Sequence, residues 1–485
     1  MDATHAQGRK PRSRASSMAF AMLLLGAAAC GGGGNDLPAV STLPPAAPTL
    51  SYSASGTLGF PVRLSVQGPS SKLTYDWQIT SPGTTFNGSP TASGPSVAFT
   101  ATTAGPVTLE CTATRSNGVK SPAATATVSI SQPSNSLGSF QFDGTLSTAR
   151  RGLAAALLTP DSILVTGGWD GAVSGTALKT AEIYNIPQQT STQAHSMTTG
   201  RAGHSLVQLP SSSQFLVIGG AGGSDPASLT SAELYALGQF TAVTGGMASE
   251  RTGATATAIG APAGVFVAGG VTGGGFQTDS EEQFDPSSNT FRSAGAQPLA
   301  PGHSATLVGS KVLLVSRTAS GAPFATLYDP ATGTYVDTAN QPASGRSGHQ
   351  AVLLPPQGAA AARVLILGGS SGGAPLASAE YYDLGTNRFT PLAAAMASPR
   401  QDFAAVRLDS GKVLILGGTA NGQSAVGTAE LFDPVALTFT PISGLGAPRR
   451  NPVAFLLNDG RVLVLGGTNE SQGALASVEA FTPTP

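Results

Sequence analysis

With 485 residues, 62 glycines and 35 prolines against 11% charged side chains, the chain reads as turn-rich and all-β. Net charge is −1, and loss of the first 29 residues, with Arg9, Lys10, Arg12, Arg14 and Asp2, leaves 21 basic against 25 acidic groups. That balance gives no electrostatic reason for nucleic acid as a partner. Two cysteines, Cys30 and Cys111, exclude a disulfide framework unless they pair with each other.

Residues 1–29 read as a secretion signal. Arg9, Lys10, Arg12 and Arg14 form a basic head, and the apolar run from Met18 to Ala29 is too short to span a membrane as a helix. The run closes in Leu25-Gly-Ala-Ala-Ala-Cys30, which resembles a bacterial lipoprotein box, with Ala27 standing where Leu is more usual. The resemblance implies cleavage before Cys30 and its lipidation, so that a lipid anchor makes the membrane a partner. Gly31, in place of Asp, implies onward sorting to an outer membrane. The other reading is an ordinary Ala-x-Ala signal cut ahead of a chance cysteine. Residues 30–46, with four glycines and then Pro, Ala and Ser, have the composition of a flexible tether.

Residues 47–131 change character. Val62–Val66, Leu73–Ile79, Ser96–Ala101, Gly105–Ala113 and Ala124–Ile130 are short, alternating and rich in β-branched residues, with turn residues between them, which predicts a β-sandwich. Trp77 on a middle strand and Cys111 on a later one resemble the core of an immunoglobulin-like domain. The usual second cysteine is missing, and a residue such as Leu64 is expected in its place. Cys111 is then a small buried hydrophobe, and the domain a spacer.

A linker at 132–137 leads to residues 138–485, where one pattern is written seven times, about every 50 residues. Its clearest copy is Arg363-Val-Leu-Ile-Leu-Gly-Gly369, a polar loop, and Ala379-Glu-Tyr-Tyr-Asp383. The other apolar runs end in Gly168, Gly220, Gly270, Gly418 and Gly467, and a worn copy ends in Ser316-Arg317. Four short strands per unit with this period predict a β-propeller. The copies resemble kelch repeats, which implies a seven-bladed propeller. Each second strand is apolar on both faces because a blade lies between two neighbours. The last copy ends at Phe481-Thr-Pro-Thr-Pro485 without an outer strand, while Gly138–Arg150 copies the close of a repeat. The first strand is therefore expected to complete the last blade with Phe140 or Phe142 buried, closing the ring.

Two sets of charges recur. Arg150, Arg201, Arg251, Arg346, Arg400 and Arg449 precede the first strands, and Glu182, Glu233, Glu282, Glu380, Glu430 and Glu479 lie on the third. In a four-stranded antiparallel blade both fall on one rim. They form either a basic ring for anionic ligands or catalysis, or a structural Arg–Glu pair in each blade. The fourth copy replaces Arg by Ala300, Glu by Thr326 and the Gly pair by Ser316-Arg317. Joint loss is expected of partners, and six charges of each sign leave no net field. Arg317, without a built-in partner over the shortest loop, is a candidate ligand-binding residue. His204, His303 and His349 belong to separate blades with no Asp, Glu or Cys cluster, so no metal site is expected. Asp285, Asp329, Asp383 and Asp433 read as turn residues. No cofactor is expected either: the loops lack a Gly-Lys-Ser/Thr, and residues 138–485 contain no cysteine for the Cys–Tyr group beside copper of galactose oxidase. The functional expectation is a binding module for a protein or glycan partner. The alternative is a carbohydrate-active enzyme of the kelch-type epimerase or lyase kind, and a purely structural envelope component is a third reading.

Overall fold

A computed structural model describes residues 43–484, apart from 53, 58–60, 82–83, 87–88, 102, 132–136, 172–175, 223–226, 261–263 and 357–360. Cys30, the leader and nearly all of the tether lie outside the described residues. Strands at Pro61–Val66, Leu73–Ile79, Ser96–Ala101, Gly105–Arg115 and Ala124–Ser131, with four shorter ones, form two sheets. Both sheets face one core that holds Leu64, Trp77, Phe99, Leu109 and Cys111. Trp77 sits opposite Cys111 in the antiparallel pair and donates its Nε1–H to Gly94 O at 2.9 Å. Burial pushes the Cys111 thiol up to about 12, so it packs as an uncharged apolar group. The sandwich meets the next region at Asp161, which accepts hydrogen bonds from Gln67 and Ser51.

Between Ser139 and Thr482 the described residues form seven antiparallel sheets of four main strands. Sheet 1 comprises Ala154–Thr159, Ser162–Thr166, Ala181–Asn185 and Thr190–Gln193, running from inner to outer. Sheets 2 to 6 repeat the order, with inner strands at Ser205–Gln208, Thr255–Ile259, Ser304–Val308, Gln350–Leu354 and Ala404–Arg407. Sheet 7 takes Val453–Leu456, Val462–Leu465 and Gly473–Thr482 from the end of the chain, and its outer strand is Ser139–Arg150. Inner strands of consecutive sheets adjoin in turn, and that of sheet 7 adjoins that of sheet 1.

The apolar second strands explain the stacking. On sheet 1, Ile163 and Val165 pack against Leu463 and Leu465 of sheet 7, while Leu164 between them packs against Val217 of sheet 2. The same alternation gives one apolar core at each of the seven joints. Each buried side chain contributes roughly 1.5–3 kcal/mol. The strand ends at the Gly pair because both glycines adopt positive φ, 55° and 92° at Gly167 and Gly168, and a Cβ on Gly167 would strike the Arg201 carbonyl of the next sheet.

Third and outer strands are joined by directly opposed aromatics: Tyr235 with Phe240, Phe284 with Phe291, Tyr328 with Tyr335, Tyr382 with Phe389, and Phe432 with Phe439. In sheet 7 Phe481 faces Phe140 at 5.0 Å, so the first strand supplies the missing ring. Phe142 is 69% exposed, contrary to the alternative in which it is the buried ring. The reason is its position opposite Glu479, whose carboxylate turns inward; Ala242, Ser293, Pro391 and Pro441 face the corresponding glutamates and are exposed too. The same strand then crosses to sheet 1. Asp143 is 3% exposed and accepts hydrogen bonds from Tyr184 of sheet 1 at 2.9 Å and Arg461 of sheet 7 at 3.0 Å.

Candidate functional site

The six arginines lie at the entrance to the inner strands and are all but fully buried. Each is ion-paired with the glutamate of its own repeat, Arg150 with Glu182, Arg201 with Glu233, Arg251 with Glu282, Arg346 with Glu380, Arg400 with Glu430 and Arg449 with Glu479, at 2.5–3.1 Å. Every Nη1 also donates to the carbonyl of the first Gly of the pair, at 2.7–3.1 Å. The glutamates accept backbone N–H groups from the segment entering the sheet: Ser147, Thr198, Ala248, Ala343, Ala397 and Gly446. Burial lowers the guanidinium values of Arg201, Arg251, Arg346, Arg400 and Arg449, and in each case the partner glutamate pulls the value back up. An ion pair taken out of water requires such additional hydrogen bonds to offset its desolvation.

A further partner was readable in the sequence but carried no weight there. Two residues before each glutamate stands Thr180, Ser231, Ser280, Ser378, Thr428 or Ser477, whose carbonyl accepts from Nη1. In all but Ser378 the hydroxyl also accepts from Nη2. The Ser/Thr-x-Glu spacing was its signal. Arg346 Nε and Arg400 Nε lack a partner of their own, but both are sealed from solvent with the rest of the pairs, so these charges present no surface to a ligand.

Sheet 4 is built without the pair. Its second strand runs on to Arg317, which faces Pro323, and the short loop closes as a hairpin with Thr318 N–H on Ala322 O at 2.9 Å. Buried Ser316 takes over part of the role and accepts the Ala300 N–H at 2.9 Å. Among the described residues Arg317 has no carboxylate partner; half-buried at the rim, it makes only a long bond to Thr318 O, at 3.5 Å.

The histidines are stitched to neighbouring sheets. His204 bonds Thr166 of sheet 1 at 2.8 Å, His303 bonds Thr255 of sheet 3 at 2.9 Å, and His349 bonds Ser304 of sheet 4 at 2.8 Å. Thr166 gives its own proton to Ala154 O, so His204 donates from Nε2; His303 donates from Nδ1 to Ala300 O. Desolvation lowers His204 to about 3 and His349 to about 3, in both cases helped by the neighbouring clamp arginine; it lowers His303 to about 4. The unfolded chain binds a proton at each imidazole near pH 6.5 and the folded one does not. Stability is therefore expected to fall as pH drops from about 6.5 toward 4, by about 1.4 kcal/mol per pH unit for each histidine. Denaturant midpoints at pH 7, 6 and 5 check this: a His204→Gln, His303→Gln, His349→Gln chain should have a flatter slope, and equal slopes contradict it.

Above the ion pairs the rim is uneven. The residue after each arginine bridges to the residue after each Gly pair. In sheets 2 and 3 these are Ala202 with Ala221 and Thr252 with Val271, whereas sheet 1 has Arg151 over the Trp169 ring at 4.7 Å and sheets 6 and 7 have Gln401 and Arg450. The next residue inward has positive φ in every sheet. It is Gly152, Gly203, Gly253, Gly302 and Gly348 in five, but Asp402 (56°) and Asn451 (50°) in sheets 6 and 7. Arg450 pairs with Asp402 at 3.1 Å. Trp169, Arg151, Arg450, Asn451, Asp402 and Gln401 thus fall on three adjoining sheets, 1, 7 and 6. Asp and Asn tolerate the left-handed region better than most residues but less well than Gly, so these two positions are occupied at a cost that the other five sheets avoid.

The Kelch motif matches residues 150–198, which span sheet 1. No curated protein matches the chain. Among solved structures the chain is similar to a fungal alcohol oxidase of the AA5 family in complex with copper, at TM-score 0.57 and 18% sequence identity, over 72% of this chain and 76% of that one. Likeness at that identity concerns the fold. The chain has a kelch repeat within a β-propeller-like, all-β fold. The donors present do not fit a copper site: no three of His, Cys, Asp and Glu converge among the described residues, His204, His303 and His349 are bonded to hydroxyls of neighbouring sheets, and His195 is exposed just past the outer strand of sheet 1.

Proposed function

We propose that this is a lipid-anchored, cell-envelope binding protein, in which an immunoglobulin-like stalk holds a seven-bladed kelch propeller whose rim binds a protein or glycan partner. The observation that carries the binding role is the arc of Trp169, Arg151, Arg450, Asn451, Asp402 and Gln401. It puts an aromatic edge, two guanidiniums, a carboxylate and two amides on one side of the channel mouth, while the equivalent bridges of sheets 2, 3 and 5 carry only Ala202 with Ala221, Thr252 with Val271 and Ser347 with Ser370, none of them charged, amide or aromatic. Such a set suits hydroxyl and carboxylate groups, through bidentate guanidinium contacts and amide hydrogen bonds. Arg317 offers a second, isolated guanidinium on sheet 4. The apolar run ending at Cys30 supports the anchor, and Gly31 supports outer-membrane sorting.

Two measurements test the proposal. The Cys30→Ser chain should leave the membrane fraction with its propeller folded; wild type that is fully soluble without detergent contradicts the anchor. The detergent-solubilised protein should retain ligands on an acidic and neutral glycan array, or a discrete protein from its own envelope extract, and binding should fall at least tenfold in Arg450→Ala. For any such ligand, Arg317→Ala either weakens binding or, with a loss under about 0.5 kcal/mol, marks sheet 4 as drifted.

A further inference from the structure

We propose that the joint between sheets 3 and 4 is a titratable seam of the ring, closed while the Glu281 carboxyl is uncharged and loosened when it ionises. Three observations converge on this joint. First, sheet 4 lacks the ion pair that ties every other sheet to its incoming segment, having Ala300 and Thr326 instead.

Second, the inward residues of successive sheets form a belt of backbone hydrogen bonds around the channel mouth: Gly203 N–H to Gly152 O, Gly253 to Gly203, Gly348 to Gly302, Asp402 to Gly348 and Asn451 to Asp402, at 2.7–3.1 Å. No such bond joins Gly302 to Gly253, and a Cβ on Gly253 would meet nothing within 4 Å. The Gly-pair bond to the next sheet is missing as well. Gly168, Gly220, Gly369 and Gly418 donate to the arginine carbonyl of the following sheet, but the Ala300 carbonyl is taken by His303 of its own segment. The belt is also open between sheets 7 and 1, where the crossing strand and Asp143 bridge the gap. Among the described residues sheets 3 and 4 have no crossing strand, and side-chain bonds alone join them there: His303 with Thr255, Thr257 to Ala305 O and Tyr335 to Ala294 O.

Third, Glu281 lies in this joint with 0% exposure, on a third-strand position held by Ala181, Ala232, Ala325, Ala379 and Ala429 in five other sheets. Neither carboxyl oxygen receives a well-formed hydrogen bond, since the neighbouring Tyr335 hydroxyl donates to Ala294 O at 3.0 Å. From its own sheet Arg251 and Asp279 face the carboxyl, and Arg251 is already engaged by Glu282; from sheet 4 the facing groups are Tyr335 and Tyr328. Burial, the largest influence, holds Glu281 up at about 8, with Asp279 adding to the rise and the Tyr335 hydroxyl, Arg251 and the Gln297 N–H opposing it. An unpaired carboxylate is unstable in an apolar joint, so ionisation favours a state in which water reaches it.

The sign follows from linkage. Below about pH 4.5 the carboxyl is protonated in both states and contributes nothing to opening. As pH rises from 4.5 to 8 the opened state loses its proton and the closed state keeps it, so opening becomes progressively easier; above 8 the effect is complete. Hydrogen exchange by mass spectrometry on the full chain at pH 6 and pH 9, corrected for intrinsic rates, tests this. In wild type, segments 280–296 and 304–308 should gain at least about tenfold more exchange at pH 9 than the other sheets. Glu281→Gln should abolish that gain, and so should Glu281→Ala, which copies the other repeats if the amide does not pack. A uniform change across all seven sheets, or a gain that survives both substitutions, overturns the seam.

Discussion

Loss of residues 138–144 is expected to unfold most of the ring cooperatively. A chain that resumes at Thr145 loses the outer strand of sheet 7, the Phe140 ring on Phe481 and the Asp143 carboxylate. Loss of the Asp143 carboxylate leaves the partly buried Arg461 with only Asp459 as its counter-charge, and loss of the whole residue also takes from the buried Tyr184 hydroxyl both of its acceptors, the carboxylate and the Asp143 carbonyl. Breaking a fully buried pair or truncating a core aromatic costs about 3–5 kcal/mol each; Arg461 and Phe140 are only partly buried, so each loss falls at or below the lower end, and the lost strand pairing adds to both. Set against a total stability of about 5–15 kcal/mol, this is enough to decide folding. Chemical denaturation of the shortened chain should show a midpoint far below that of wild type, and Phe140→Ala should fall between them. Phe142→Ala, at the exposed neighbour, should change little. An unchanged midpoint after the deletion contradicts closure by the first strand.

Replacing Arg346 by Ala should cost about 3–5 kcal/mol, because it leaves Glu380 buried and unpaired and the Gly368 carbonyl without its Nη1 donor. Lysine should rescue little of this. The guanidinium serves Gly368 O, Ser378 O and Glu380 from two nitrogens of one planar group, which a single ammonium cannot reproduce. With Glu380→Ala as the second arm, a double-mutant cycle should give a coupling of about 0.5–3 kcal/mol. Additive losses would return the arginines to the list of ligand-binding residues.

The sheets were legible because their cause is local and repeated. A run such as Val364-Leu365-Ile366-Leu367 is apolar on both faces only if both faces are covered, and the pattern recurs at each joint. The closing strand was legible from what the last repeat lacks, although the sequence could not choose between Phe140 and Phe142. That choice rests on which residue faces Phe481 and which faces Glu479, a matter of register across the whole length of the domain. Residues that act once were hidden. Asp143 belongs to no repeat, and its partners Tyr184 and Arg461 are distant in the chain. Glu281 sits beside Glu282 in Ser-Glu-Glu, where it reads as one more surface charge until the structure places it on a position that elsewhere holds alanine. Asp402 and Asn451 were likewise silent, because their interest lies in a backbone conformation that the other sheets give to glycine.

The central claim is that the repeated charges are used up inside the ring, so that recognition falls to the uneven rim. The direct test is to titrate one identified glycan or protein ligand against two substituted chains, each shown to be folded by its denaturation midpoint. Arg151→Ala with Arg450→Ala, on the polar arc, should weaken binding at least tenfold with little change in stability. Glu430→Gln, inside sheet 6, should lower stability and leave the affinity of the folded fraction within about twofold. The reverse result, with affinity lost at the buried glutamate and kept at the arc, contradicts the account.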